Sequence, residues 1–519
     1  LMKELQDVLG EMHDCDVWNC LIKEGRYRSK AAQGLRQDRA ARRAELYGLF
    51  VESWNGMRHA HFLEMESAMR SRLNEKASLK ITRHQRIAII SDIHGNLAAL
   101  DAVMVHAKEQ GAESFLNAGD NTGMGPSGND VMFRLAQEGV LSIRGNIDDE
   151  VLDVASGKMK MKLPRTGREK AIFFAAKDMS EDTLDILQKL PTELRLKRGG
   201  KELLITHASP ASRAEKIDGS MSAERLKELA VMAKAQVVIF GHTHQFFDKE
   251  VDGIRFVNPG AIGRQVDGDP RASYAIWDTE QGTVEKYRVD YHLHEVLEKV
   301  AEKGWPTDMA LVHIWALPGD AEVEKVPLSR ESCLKKSEEV AARYGQLDAH
   351  ATAVRNNCRM LFDGLKELHG LEDDDLLLLE CAATMHDIGW TWGGKGHHLS
   401  SFDLIAMSSS LPMEAEARLK VAIVARYHRG PMPKKEHGMI GLLPKKEANK
   451  VRKCIALLRI ADGLDFGHAQ RAVITGIVIA KDKVSIELAH KDACGAEVKA
   501  SLRKSDMFLR VFGKELDFK

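Results

Sequence analysis

Residues 91–100 read SDIHGNLAAL, directly after the apolar run Ile87-Ala88-Ile89-Ile90. A buried strand ends where such a run ends, and here the chain then sets a carboxylate, Asp92, and an imidazole, His94, one residue apart. Asp, Gly and Asn are ordinary turn residues, so the stretch by itself admits a plain strand-to-helix turn. The other reading is that both side chains leave the sheet together to hold a metal ion. The neighbouring segments decide between the two.

From about residue 84 to 290, short apolar strands alternate with helices, the pattern of an α/β fold. The predicted strands are RIAII, SFLNAG, VLSIRG, ELLIT, QVVIF and IRFVN, with the helical stretches NLAALDAVMVHAKEQ and NDVMFRLAQE between the early ones. Asp92 and His94 follow the first strand and Asp120 the second. Asn146 and Asp148 follow the third, His207 the fourth, and His242 and His244 the fifth. The carboxyl ends of parallel strands converge on one sheet edge, where ligands bind. One such residue is a turn former or a satisfied histidine; donors at successive strand ends make a metal centre. Oxygen and nitrogen donors without thiolate suit Mn²⁺, Fe²⁺, Zn²⁺ or Co²⁺. They outnumber what one ion needs, so two are expected. Ions about 3.5–4 Å apart clamp a phosphate and lower the pKa of a bridging water.

The ordered series SDIHGN, AGDNTGMGP, RGNIDDE, THASP, GHTH and NPGAIG...DGDPRASYAIWD resembles the calcineurin-like metallophosphoesterases, most closely their small bacterial phosphodiesterase branch. The resemblance covers about residues 84–290 and implies a four-layer α/β/β/α sandwich that hydrolyses phosphomonoesters or phosphodiesters. It implies that Asp92, His94 and His244 hold one metal and that Asn146, His207 and His242 hold the other. Asp120 would bridge them, with Asp120, Asn146 and His207 at the catalytic heart. Many relatives carry a histidine directly after the Gly-Asn pair to protonate the leaving oxygen; here that position is Ile147. The departure implies a preference for activated esters or phosphoanhydrides, with Asp148 or metal-bound water left as proton sources.

Residues 291–329 read as a helix and a Pro-punctuated linker, and residues 330–519 as mostly helical, closing on a small strand pair with a turn at Asp482. This last segment has its own donors: His350, the adjacent His386-Asp387, His428 and Asp462, with His397 and His398 as further ligands. An adjacent His and Asp at a helix end reach one ion while distant residues complete its shell. HDIGW...GKGHHLSSFDLI...ARYHRGPMPKKEH...LLRIADGLDFGH resembles the C-terminal, HD-type domain of the exopolyphosphatase and guanosine-pentaphosphatase family. That implies one or two more metal ions, although Ser400 stands where relatives often carry another histidine. Lys395, Arg426, Arg429, Lys434 and Lys435 would suit a polyanionic phosphate substrate.

Residues 1–80 are expected to be wholly helical. The stretch LMKELQDVLGEMHDCDVW resembles the second half of a CHAD domain, a helical module associated with polyphosphate, which implies His13 and the row Arg36, Arg39, Arg42 and Arg43 as anion contacts. Half a helical bundle exposes apolar faces, so further sequence is expected upstream.

At 519 residues the chain is long enough for two to four domains. Its net charge of -1 gives no global attraction to nucleic acid or an anionic membrane, and no apolar stretch nears the roughly 20 residues that cross a bilayer. The 7 scattered cysteines contain no C-x-x-C, which fits a reducing cytosol. The expected protein is a cytosolic multidomain metallophosphohydrolase acting on a phosphate-containing small molecule or polyphosphate. Two rivals stand beside it: a hydrolase of polyphosphate or guanosine pentaphosphate working from the HD-type segment, and a non-catalytic polyphosphate-binding scaffold.

Overall fold

A computed structural model of the chain describes residues 85–161, 164, 166–315, 329–433 and 438–519. The expected N-terminal helical segment, with His13 and the arginine row, lies outside the described residues, as do Lys434 and Lys435.

Among the described residues the first half holds ten strands: β1 Arg86–Ile90, β2 Ser114–Asn117, β3 Leu141–Ser142, β4 Glu193–Arg198, β5 Lys201–Thr206, β6 Val237–Ile239, β7 Phe246–Val251, β8 Ile254–Pro259, β9 Ala272–Asp278 and β10 Thr283–Val289. They form two mixed sheets, ordered β10-β9-β1-β2-β3 and β4-β5-β6-β8-β7. Each sheet contains three parallel neighbours, β1-β2-β3 in one and β5-β6-β8 in the other. Antiparallel strands complete both sheets.

The parallel strands are continuous apolar runs because both faces are covered; Ile87, Ala88, Ile89 and Ile90 are wholly buried. Sequence patterning missed β4, β7, β9 and β10. In β4, ELRLKR, and in β10, TVEKYRV, charged residues alternate on exposed faces, which weakens the apolar signal. The Asn of SDIHGN caps the helix Leu97–Glu109, its side chain accepting the Ala99 N–H at 3.1 Å. One part of the opening stretch is thus turn chemistry, which leaves Asp92 and His94 to be explained.

After the helices Leu293–Glu302 and Thr307–Trp315, the second half is mainly helical. At its centre, the helix Asp373–Met385 carries LLLLECAATM, apolar nearly all round and buried throughout, the signature of a helix enclosed by others. The expected strand pair is a three-stranded sheet: β11 Ile474–Ile479, β12 Lys483–Leu488 and β13 Glu515–Phe518. The third strand is only four residues long and joins β12 in parallel after two intervening helices. Such a crossover leaves no local hairpin signal. Among the described residues no helix is long and apolar enough to cross a membrane.

Candidate metal centres

The ends of five strands, β1, β2, β3, β5 and β6, meet at a common rim, and the backbone there is strained. Asp92, His94, Asp120, His242 and His244 have φ of 52°, 51°, 53°, 68° and 60°, in the left-handed region. A non-glycine residue pays about 1–3 kcal/mol there, so the conformation persists only where surroundings impose it. They do: Asp92 N donates to Gly119 O, His94 N to Asp120 O and Gly241 N to His207 O, each at 2.9 Å. Close approach of backbone completes the cradle. A Cβ at Gly145 would lie 2.1 Å from Asp120 Oδ1, and one at Gly241 would lie 2.6 Å from Asp92 Oδ2.

Two donor groups result, Asp92 with His94 and His244, and Asp92 with Asp120 and His207. His94 Nε2 faces His244 Nε2 at 3.2 Å, and His244 Nε2 is 3.4 Å from Asp92 Oδ1. His207 Nε2 is 3.2 Å from Asp120 Oδ2. The opposite ring nitrogens are engaged: His207 Nδ1 donates to Ala118 O at 2.8 Å and His244 Nδ1 to Arg264 O at 2.6 Å. This leaves Nε2 of both rings for an ion, the outer-shell arrangement common to metal-binding histidines. His242 and Asn146 stand at the same rim, His242 Nδ1 2.9 Å from Asn146 Oδ1. Closely spaced imidazoles with carboxylates and no thiolate fit borderline divalent cations.

The charges follow. Burial would depress His207, but Asp120 and Asp92 outweigh it and raise it to about 9. Burial would raise Asp120, but His207 and His94 hold it below the usual carboxylate range. Burial lifts Asp92 to about 7, against His207 and aided by Asp120, and lowers His94 to about 4. His207 is thus expected to carry a proton in the metal-free protein, held by Asp120 and Asp92. A ligand must be deprotonated, so below pH 9 metal entry displaces that proton, and below pH 7 a second one from Asp92. Affinity for Mn²⁺ is expected to rise about tenfold per pH unit from 7 to 9 and more steeply below 7. Calorimetry in buffers of different ionisation enthalpy reads the proton release; an affinity flat from pH 6 to 9 contradicts it.

The rim opens into a cleft of about 660 Å³ lined by Arg168, Lys216 and Arg264 as well as His94, Asp120, Asn146, His242 and His244. The sequence reading missed these three cations, which come from separate loops with no shared spacing. Ile147 and Met124 give the cleft an apolar wall. Asp148 does not line this cleft. It is buried, and it accepts from Asn121 N and Nδ2, Thr122 N and Oγ1, and Gly145 N, so it anchors the loops after β2 and β3.

The second half brings together His350, His386 and Asp462, and His386, Asp387 and His428. Asp387 is central: its oxygens lie 3.2 Å from His397 Nε2, 3.4 Å from His428 Nε2 and 3.6 Å from His386 Nε2. His350 Nε2 is 3.7 Å from Asp462 Oδ1, and His350 Nδ1 is fixed by Asp465 Oδ2 at 2.9 Å. Burial would raise Asp387, but His386, His397 and His428 hold it far below the usual range. His398 lies outside these groups; burial, Arg426 and His397 lower it to about 4. Ser400 is buried and outside them too.

A cleft of about 710 Å³ over this centre is lined by Arg429, Arg459, Arg503 and Lys504. Of the described basic residues expected from sequence, only Arg429 lines it. Lys395 is exposed elsewhere, and Arg426 packs over the Tyr427 ring at 5.1 Å. Arg459 stands three residues before Asp462 on the helix Lys445–Gly463, a same-face spacing that sequence reasoning overlooked. Asp465 lies in the same motif. Arg503 and Lys504 come from a helix end some forty residues on, and no local pattern announces them.

Residues 86–282 match the calcineurin-like phosphoesterase superfamily domain, and residues 336–505 match domain III of the Ppx/GppA phosphatases. The match supports a phosphoric ester hydrolase whose domain at residues 86–282 is of a family that uses divalent metals, and the donor groups suit such ions. Among its relatives is a protein of Methanocaldococcus jannaschii, MJ0912, 28% identical over 235 residues, which are 42% of this chain and 93% of that one. A metallophosphoesterase structure from Sphaerobacter thermophilus is 26% identical, covering 45% of this chain and 100% of its own, with a TM-score of 0.38. The protein PH1004 of Pyrococcus horikoshii OT3 is 19% identical, over 44% of this chain and 98% of its own, with a TM-score of 0.40.

Proposed function

We propose that residues 84–290 form a four-layer phosphoesterase domain that hydrolyses a phosphodiester or phosphoanhydride at a two-metal centre. The observation that carries this reading is the pair of donor groups sharing Asp92, with Asp120 between His207 and His94. Asp92, His94 and His244 would hold one ion, Asn146, His207 and His242 the other, and Asp120 both. When bound, such a pair supplies positive charge to the phosphoryl oxygens and an ionised water as nucleophile. The chain's own residues do the rest. Arg168, Lys216 and Arg264 attract and orient a phosphate, and the loops fixed by Asp148 keep Asp120 and Asn146 in place. The expected assay result is metal-stimulated hydrolysis of bis-p-nitrophenyl phosphate that chelation abolishes; no stimulation by any divalent ion would leave a binding scaffold.

Ile147 shapes the substrate range. A positioned acid contributes about 10²–10⁴-fold, and an alkyl side chain cannot protonate a leaving oxygen. Poor leaving groups should therefore lag: an aryl diester is expected to turn over at least about 10²-fold faster than an alkyl monoester. Comparable rates on both would contradict it.

The second centre supports a second activity. Residues 330–519 would form an HD-type domain whose donors and four cations suit a polyphosphate or phosphorylated nucleotide. The CHAD-like segment, residues 1–80, would add polyphosphate affinity, and a cytosolic location fits substrates of this kind.

A further inference from the structure

A third set of donors meets where the first half packs on the helical half. His292 and His294 stand at the start of the helix Leu293–Glu302, and Asp403 belongs to the helix His397–Ala406. His294 Nδ1 lies 2.7 Å, and His292 Nδ1 3.5 Å, from one and the same oxygen, Asp403 Oδ2. Asp403 is fully buried, whereas the His292 side chain is 56% exposed, so the group is closed by protein on one side and open to solvent on the other. We propose that His292, His294 and Asp403 form a third metal site, for one borderline divalent cation such as Zn²⁺, with water completing its shell.

Asp403 also caps the helix, its Oδ1 accepting the His294 N–H at 2.7 Å. Capping accounts for His294 but not for His292, whose ring keeps Nδ1 toward the carboxylate although most of it stands in solvent. The separations fit. Donors about 2.0–2.1 Å from a tetrahedral ion lie roughly 3.3–3.4 Å from one another. The 2.7 Å and 3.5 Å pairs bracket that distance, so a cation enters with shifts of well under an ångström in one and very little in the other. Two imidazoles and a carboxylate are donors such ions favour, and three protein ligands leave a position for water.

The site would clasp the two halves. Lys299 and Lys303 of this helix region donate to Ser127 Oγ at 3.1 Å and Pro126 O at 2.6 Å, in the loop beyond Asp120. The partner helix begins at His397 of the second centre. The proposal requires no activity at either hydrolase centre.

The test compares chelator-stripped full-length wild type, His292→Ala and His292→Cys, equilibrated with Zn²⁺ alone and assayed for metal per chain by mass spectrometry. His292→Ala is expected to hold one Zn²⁺ fewer, or to bind that equivalent at least tenfold more weakly, with diester hydrolysis unchanged. His292→Cys returns a zinc ligand and should restore the equivalent. Equal stoichiometry and affinity in wild type and His292→Ala overturns the site. A loss in His292→Ala that His292→Cys fails to repair assigns the effect to packing and overturns it as well.

Discussion

Asp120→Asn will lower metal-dependent hydrolysis of bis-p-nitrophenyl phosphate by at least about 10²–10³-fold, the scale on which removing one preorganised electrostatic group slows an enzyme. The effect is expected to exceed that of any other single change in the first half because Asp120 faces both sets of donors. Its Oδ2 is 3.2 Å from His207 Nε2 and 3.9 Å from His94 Nε2. Asparagine is the informative replacement. It keeps the side-chain shape, and its carbonyl oxygen still accepts the Ile147 N–H that Asp120 Oδ1 takes at 2.8 Å. The loop after β3 therefore stays in place and only the charge is lost. Without that charge the main support for a protonated His207 goes as well, so the metal-free variant should release fewer protons on metal addition. Diester turnover within about fivefold of wild type, with the fold intact by circular dichroism, would mean that this centre is not where the ester is cut.

The first centre was legible because its donors sit immediately after apolar strands, where a short motif records both the strand end and the ligand. Asp92, His94, Asp120, His207 and His244 needed no long-range knowledge, since parallel strands bring their carboxyl ends to one edge by topology. What the sequence could not display falls into two physical kinds. Edge strands such as β4 and β10 spend half their residues on solvent, so their composition resembles loops. The cations of the first cleft are set by tertiary packing: Arg168, Lys216 and Arg264 share it without sharing a period. Asp148 shows the reverse error. A carboxylate beside a ligand motif reads as chemistry, yet five donors from neighbouring loops consume it as a structural anchor. His292 and His294 lay in no motif, and only their meeting with Asp403, more than a hundred residues away, gives them a role.

Asp387→Asn separates the two candidate centres. The Asp387 carboxylate lies within 4.0 Å of His350, His386, His397 and His428. Losing its charge leaves those imidazoles without a shared anion, and a divalent ion without its principal carboxylate. Hydrolysis of polyphosphate or a phosphorylated nucleotide is expected to fall by at least about 10²-fold, again the scale of one lost electrostatic group. Hydrolysis of bis-p-nitrophenyl phosphate should stay within about twofold, because the two centres share no side chain and independent sites add. The pairing with Asp120→Asn makes the result decisive. Opposite patterns in the two variants, each losing one substrate and keeping the other, require two working centres on one chain. If Asp387→Asn leaves every substrate untouched while weakening retention of polyphosphate, the cations Arg429, Arg459, Arg503 and Lys504 serve to hold a polyanion and the cutting is done by the first centre alone. Loss of both activities in Asp387→Asn, with metal still bound at the first centre, would instead place all the hydrolysis in the helical half.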